Sequence, residues 1–262
     1  MASAVFLCLL LAKSSSGSST QHPALKHANQ SEITVTPEDI LLEAAAKGDC
    51  VMTGYAIGQN ASVDCRDSSG RTPLMLAAQN GHTDTAVVLL QNKADWDLTD
   101  SLHNRALSLA AGNGHLDTVR MLLRYGAKID SGAGEGETAL IAACKNGKSA
   151  VVEYLLENKA ALWPGRSSGR GALTVSLHNS HIDCAEILLR FGADVNETDA
   201  QGNNVLMMAI LCNSPELVKL LLEKYPLDKT HHNNAGENAL QTARKLNNKA
   251  VIRLIEEFLN DL

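Results

Sequence analysis

The 262-residue chain is poor in aromatics, with two Trp, four Tyr and three Phe making up 3% of it. A core must therefore be built from Ala, Leu, Val and Ile. Positive charge is also short: Lys and Arg number 23 against 29 Asp and Glu, which leaves a net charge of −6 and a pI near 5.8. That balance argues against a dedicated nucleic-acid binder, which presents a basic surface. No apolar run approaches the roughly 18–20 residues that a membrane span needs. The six cysteines, at positions 8, 50, 65, 144, 184 and 212, include no C-x-x-C pair and no dense framework. This argues against zinc ribbons and disulfide scaffolds, and scattered single cysteines read as reduced, small core residues. What remains, 45% hydrophobic and 20% charged residues, is the composition of a globular chain.

The N-terminus reads differently. Ala4 to Ala12 form a nine-residue apolar run, followed by small residues from Ser14 to Ser19, much as in a secretory signal peptide. The positive region such a peptide carries before its apolar run is missing, since Lys13 comes after it. Asn29, Asn60 and Asn196 stand in N-x-S/T triplets. Two readings stay open: a disordered leader over residues 1–35 of a cytoplasmic or nuclear protein, or an export signal over residues 1 to about 16.

A period dominates the rest. Leucine recurs at 41, 74, 107, 140, 173, 206 and 240, at spacings of 33 and, once, 34. Leucine pairs follow in step at 89–90, 122–123, 155–156, 188–189 and 221–222, and a small residue sits three after each first leucine. Repeats at a fixed period of this size mean a stacked array. Each unit reads as two short helices. Thr72 caps a helix whose first position is Pro73, where a missing N–H costs nothing. Leu74, Ala77 and Ala78 share one face, and the helix stops at Asn80-Gly81, where Gly accepts a left-handed backbone. The stop recurs as Gly48, Gly114 and Gly147 and then becomes Ser180, Asn213 and Asn247. A second helix over Asp84–Gln91 follows, and a turn rich in Asp, Gly and Ser leads to the next unit.

Thr72-Pro73-Leu74-Met75, Ala77-Ala78 and Gly81-His82 resemble the ankyrin repeat signature, with Met75 in place of its usual His. Asn113-Gly114-His115 and Gly192-Ala193-Asp194-Val195-Asn196 match other parts of it. The resemblance covers residues 36–262 as seven units starting near 39, 72, 105, 138, 171, 204 and 238. Departures are local: Lys93 and Lys159 replace a loop Gly, Trp163-Pro164 replaces a polar loop end, and one residue is inserted near Tyr225-Pro226. The implied fold is an all-α ankyrin-repeat solenoid, stacked helix-turn-helix units with short β-hairpin loops at one edge. Gly54 and Tyr55 in unit one and Glu256 in unit seven mark the ends as caps, which favours a monomer.

Motifs that resemble chemistry fall into structural register. Gly147-Lys148-Ser149 looks like the end of a phosphate loop, but the Gly that motif needs five residues earlier is Ala142. Gly132, Gly134 and Gly136 belong to a hairpin tip. His178, His181 and Cys184 have ligand-type side chains at i, i+3, i+6, yet the register puts His178 on an exposed position, His181 in the turn and Cys184 in the core. His82 and His115 read as turn residues bonding nearby backbone. No triad, HExxH or cofactor loop appears, and neither cofactor nor metal is expected. Trp96 reads as half-buried core, and Trp163 as more exposed.

The positions left for function are the hairpin tips and the exposed face of each first helix, which the resemblance joins into a concave, partner-binding groove. The tips contribute Ser68, Arg71, Leu102, Asn104, Glu135, Glu137 and Arg170. The helices contribute Gln79, Asn80, Asn113, Lys145, Asn146, His178 and Asn179. Asn can donate and accept, which suits the backbone of an extended peptide; it is also favoured near helix ends, and both readings stand. Arg71 and Arg170 beside Glu135 and Glu137 make the expected charge mixed. The expected function is non-enzymatic protein–protein binding, as a scaffold or adaptor. A secreted, toxin-like binder on the same module and an enzyme with a hidden site are the alternatives.

Overall fold

The computed structural model describes residues 35–132, 137–162, 171–228 and 230–260. The leader, the hairpin tip with Gly134, Glu135 and Gly136, and the tip with Trp163 and Arg170 lie outside them. Among the described residues, fourteen helices run in seven pairs. The first helices are α1 (Pro37–Lys47), α3 (Pro73–Gln79), α5 (Ala106–Asn113), α7 (Ala139–Lys145), α9 (Ala172–His178), α11 (Val205–Leu211) and α13 (Ala239–Lys245). The second helices are α2 (Cys50–Gly58), α4 (Thr83–Gln91), α6 (Leu116–Arg124), α8 (Ser149–Glu157), α10 (Ile182–Arg190), α12 (Pro215–Lys224) and α14 (Lys249–Asn260). Each pair packs on itself. First helices stack on first helices from α1 to α13, second helices stack from α2 to α10, and α12 packs on α14. The connecting hairpins are too short to form strands among the described residues; one isolated antiparallel bridge joins Thr198 to Asn204.

Helices of seven residues are too short to be stable alone, so caps and stacking must hold them. Thr36, Thr72, Thr138, Asn204 and Asn238 each accept the third backbone N–H of their helix through the side chain. Leu41, Leu74 and Leu140 are 0% exposed, and one continuous core runs from Leu41 to Ile255. Loss of water contact over that apolar surface is the main stabilising term. Trp96 is half-buried against this core.

Polar rungs lock unit to unit. His82, His115 and His181 each place Nε2 within 3.0–3.1 Å of a carbonyl one unit earlier, at Ala46, Gln79 and Lys145. Each ring lies against the preceding turn glycine: a Cβ on Gly81 would sit 2.5 Å from His115 Nδ1, and the glycine backbone is left-handed with φ 73°. These positions therefore need Gly for space as well as for conformation. Where the turn is Ser180, Asn213 or Asn247, the backbone stays left-handed, with φ of 60°, 56° and 52°. On the loop edge, Asp64 accepts the Asp95 N–H at 3.1 Å and Asp130 the Ala161 N–H at 2.8 Å.

Unit five has no Ser, Thr or Asn cap. Gly171 begins α9 without a side-chain cap. Glu197, 6% exposed on the loop leading to unit six, instead accepts the Thr174 N–H through Oε1 at 2.8 Å. Thr174 is the third residue of α9, the position a cap would normally serve, so the loop that closes unit five caps that unit's own first helix. Burial pushes the Glu197 carboxyl up to about 7, with Asp194 adding to the effect against the Thr174 hydrogen bond.

Candidate partner-binding face

The hairpin tips share one template. Asp67 accepts the N–H groups of Ser69 and Arg71 at 2.9 Å each, Asp100 those of Leu102 and Asn104 at 2.9 and 2.8 Å, and Asp199 those of Gln201 and Asn203 at 2.9 and 2.8 Å. Asn233 does the same for Ala235 and Glu237 at 3.0 Å. A short polar side chain that bonds the backbone two and four residues on holds a tight turn without help from a ligand. Neighbouring tips also bond each other. Ser101 N–H donates to Ser69 O at 3.0 Å, Asn234 N–H to Gln201 O at 3.0 Å, and His231 Nε2 lies 2.6 Å from Gly202 O. His231 is thus a rung between tips.

Tip and first helix meet on one face through residues eight apart. Arg71 reaches Gln79 at 3.2 Å, Lys145 pairs with Glu137 at 2.6 Å, and Lys245 pairs with Glu237. The same register pairs Asn104 with Gly112 and Asn203 with Leu211. The face is therefore a row of tip–helix pairs at the repeat spacing. Its members differ in availability. Ser68, Leu102, Lys145, His178 and the Asn residues at 80, 113, 146 and 179 are exposed. Leu102, at 79%, is the most exposed large apolar side chain of this face.

Two expectations are refined. Arg71 is not a free cation facing Glu137: it bonds Asp67 at 2.8 Å through Nε and Nη2 and turns its remaining arm to Gln79. Burial works against the Asp67 charge, but the N–H groups of Arg71 and Ser69 and the guanidinium outweigh it and hold the carboxyl below its ordinary value. The Asn ladder serves the helix ends. Nδ2 of Asn80, Asn113, Asn146 and Asn179 donates at 2.8–2.9 Å to the carbonyl four residues earlier, satisfying acceptors that every helix end leaves open. Glu135 and Arg170 lie outside the described residues.

The row also breaks chemically at its C-terminal end. Where units two to five place a polar residue or Gly followed by Asn, unit six places Leu211-Cys212 and unit seven Lys245-Leu246. Leu211 and Leu246 are 50% and 45% exposed and line a groove of about 640 Å³ between the last two tips and first helices. The repeat alignment shows an apolar break at these positions; only the stacked structure shows that it stays open to solvent.

Burial works against nucleophilic chemistry at several of the described thiols. Burial pushes the Cys65 and Cys184 thiols up to about 11, with Glu38 adding at Cys65 and Asp183 at Cys184, and holds Cys144 well above the usual range. Raised thiols are poor nucleophiles. Cys50, Cys65, Cys144, Cys184 and Cys212 are all free.

A capped helix-pair stack, rungs from each unit to the one before, and a row of self-supporting tips define a repeat solenoid rather than an enclosed pocket. The family described as ankyrin repeats (3 copies) matches residues 9–100, 41–133, 87–167, 107–199, 160–233 and 191–261. The chain belongs to the ankyrin repeat family. Ankyrin repeats are generally protein–protein interaction modules and typically non-enzymatic. No helix among the described residues is long and apolar enough to cross a membrane.

Proposed function

We propose that this protein is a scaffold or adaptor that binds a protein partner through the tip and first-helix face, without catalysis and without a cofactor. One observation carries the reading: the tips and helix ends satisfy their own backbone groups, while Ser68, Leu102, Lys145 and His178 stay exposed in one row. A face that is already held in shape loses little freedom on binding. On this reading the chain works as a monomer in the cytoplasm or nucleus, and its acidic surface disfavours nucleic acid.

Quantitative affinity capture from source cells tests the proposal. The double variant Leu102→Asp with Lys145→Glu should lose partners that the wild type and an outer-helix control, Glu157→Lys, both retain. Equal capture by all three proteins would refute the face assignment.

The apolar run at Ala4–Ala12 and the triplets at Asn60 and Asn196 favour a second reading, export of the same binding module. Asn196 is already engaged, accepting the Asp228 N–H at 3.2 Å and donating to Pro226 O at 3.5 Å, so a glycan there would have to displace a bond to the next loop. Intact mass of the protein from its own cells separates the readings. Loss of some 14–20 N-terminal residues means export, and an intact leader means retention.

A further inference from the structure

The row of tip–helix pairs changes chemistry at its C-terminal end. Through units two to five the helix-end positions are polar or Gly, and their Asn amides are spent on their own helices. In units six and seven, Leu211 and Leu246 stand there instead, each about half exposed. Aliphatic side chains left open to water inside a groove gain when a partner's apolar group covers them.

The walls of the groove are spent polar groups. Asn233 Nδ2 donates to Asn203 Oδ1 at 2.9 Å, Asn203 Nδ2 to Asp199 Oδ2 at 2.9 Å, and Asn234 Nδ2 to Ala200 O at 3.1 Å. The two tips therefore hold each other in place, and the groove stays formed without an occupant.

The charges at the rim differ in exposure. Lys245 Nζ donates to Glu237 Oε1, and the lysine is the more open member of the pair, with its side chain 68% exposed against 22% for the glutamate. Unit four repeats the arrangement less steeply, with Lys145 at 53% over Glu137 at 39%. The ammonium of Lys245 has three N–H donors, of which Glu237 takes one, so this exposed lysine beside an aliphatic floor can add a partner carboxylate flanking an apolar group.

We propose that the groove between units six and seven seats an aliphatic side chain from an extended partner segment between Leu211 and Leu246, with a carboxylate of that segment meeting Lys245. This rests on the protein-binding reading above and names the chemistry of the partner at one end of the same face.

The test is selection of linear peptides from a random display library on the full chain, followed by affinity measurement with the selected peptides made synthetically. Selected sequences should share an aliphatic residue with Asp or Glu a few positions away. Leu211→Asp should weaken them by about tenfold or more, as for loss of an interface anchor, and Lys245→Glu should reverse the preference from acidic to basic flanks. Both side chains are exposed, and thermal melts of the variants verify that the fold is kept.

Enrichment of basic-flanked peptides, or affinities unchanged by Leu211→Asp, overturns the groove assignment while leaving protein binding in place. Failure to enrich any peptide above an unrelated solenoid overturns it as well; the broader reading is then decided separately by the capture comparison, whose variants, at Leu102 and Lys145, lie away from this groove.

Discussion

Replacing Glu197 with Gln tests how the fifth unit is held. The carboxyl is 6% exposed and caps α9 from the loop that leads to the next unit, with Oε1 2.8 Å from Thr174 N. Burial, with Asp194, raises it from an ordinary 4.5 to about 7. The sign follows from linkage: between those two values the folded chain holds a proton that the unfolded chain has released, so stability falls as pH rises from about 4.5 to 7 and is level on either side. At about 1.36 kcal/mol for each pH unit, the ceiling on this loss is about 3 kcal/mol. Gln keeps an oxygen for the Thr174 N–H and cannot ionise. Urea unfolding at pH 5, 6, 7 and 8, followed by circular dichroism, should therefore show Glu197→Gln gaining on the wild type with rising pH. Above pH 7 it should lead by up to about 3 kcal/mol. Glu197→Ala removes the cap as well and should gain less, by about 0.5–2 kcal/mol, the worth of a helix cap. Parallel pH profiles for wild type and Glu197→Gln would refute the argument.

Three further outcomes are expected. Leu140, fully buried in the middle of the stack, should cost about 2–5 kcal/mol as Ala and separate the melting of probes placed in units two and six; a single unchanged midpoint would contradict this. Gly81→Ala drives a methyl to 2.5 Å from the His115 ring in a left-handed backbone and should destabilise by about 2 kcal/mol or more. The double variant with His115→Ala should cost less than the two single changes added together, and strict additivity in the double-mutant cycle would remove His115 as the colliding partner. Lys93 and Lys159 hold φ of 67° where other loops have Gly, so Lys93→Gly and Lys159→Gly should each stabilise by about 0.5–1 kcal/mol once strain relief is set against added chain entropy, read as a raised urea midpoint. A lowered midpoint would mean that these lysines make contacts that outweigh the strain.

The fold was legible because it repeats. A leucine every 33 residues, Thr-Pro helix starts and Gly stops each point to the same helix pair, and agreement among local signals makes such a sequence readable. The left-handed turns at Ser180, Asn213 and Asn247 were legible too, since register placed them where earlier units carry Gly. What stayed hidden depends on where side chains turn once the chain has folded. Glu197 reaches a helix that begins 25 residues earlier, and nothing local to it marks a cap. Arg71 looks like a free tip charge until the turn folds Asp67 back beneath it. The Asn ladder fits two roles in the sequence, and the bonds to carbonyls four residues earlier show one of them. Leu211 and Leu246 could be read as an apolar break, but whether such a break is core or open groove is decided by how the last two units stack.

The central claim, that this chain acts by holding a protein on its tip and first-helix face, is tested most directly by site-specific photo-crosslinking in source cells. A crosslinker placed at Leu102 or Leu211 should trap the same protein partner, while one at Glu186 on the exposed side of α10 should trap none of it. Capture from Glu186 as strong as from Leu102, or capture from no position on the face, would contradict the account.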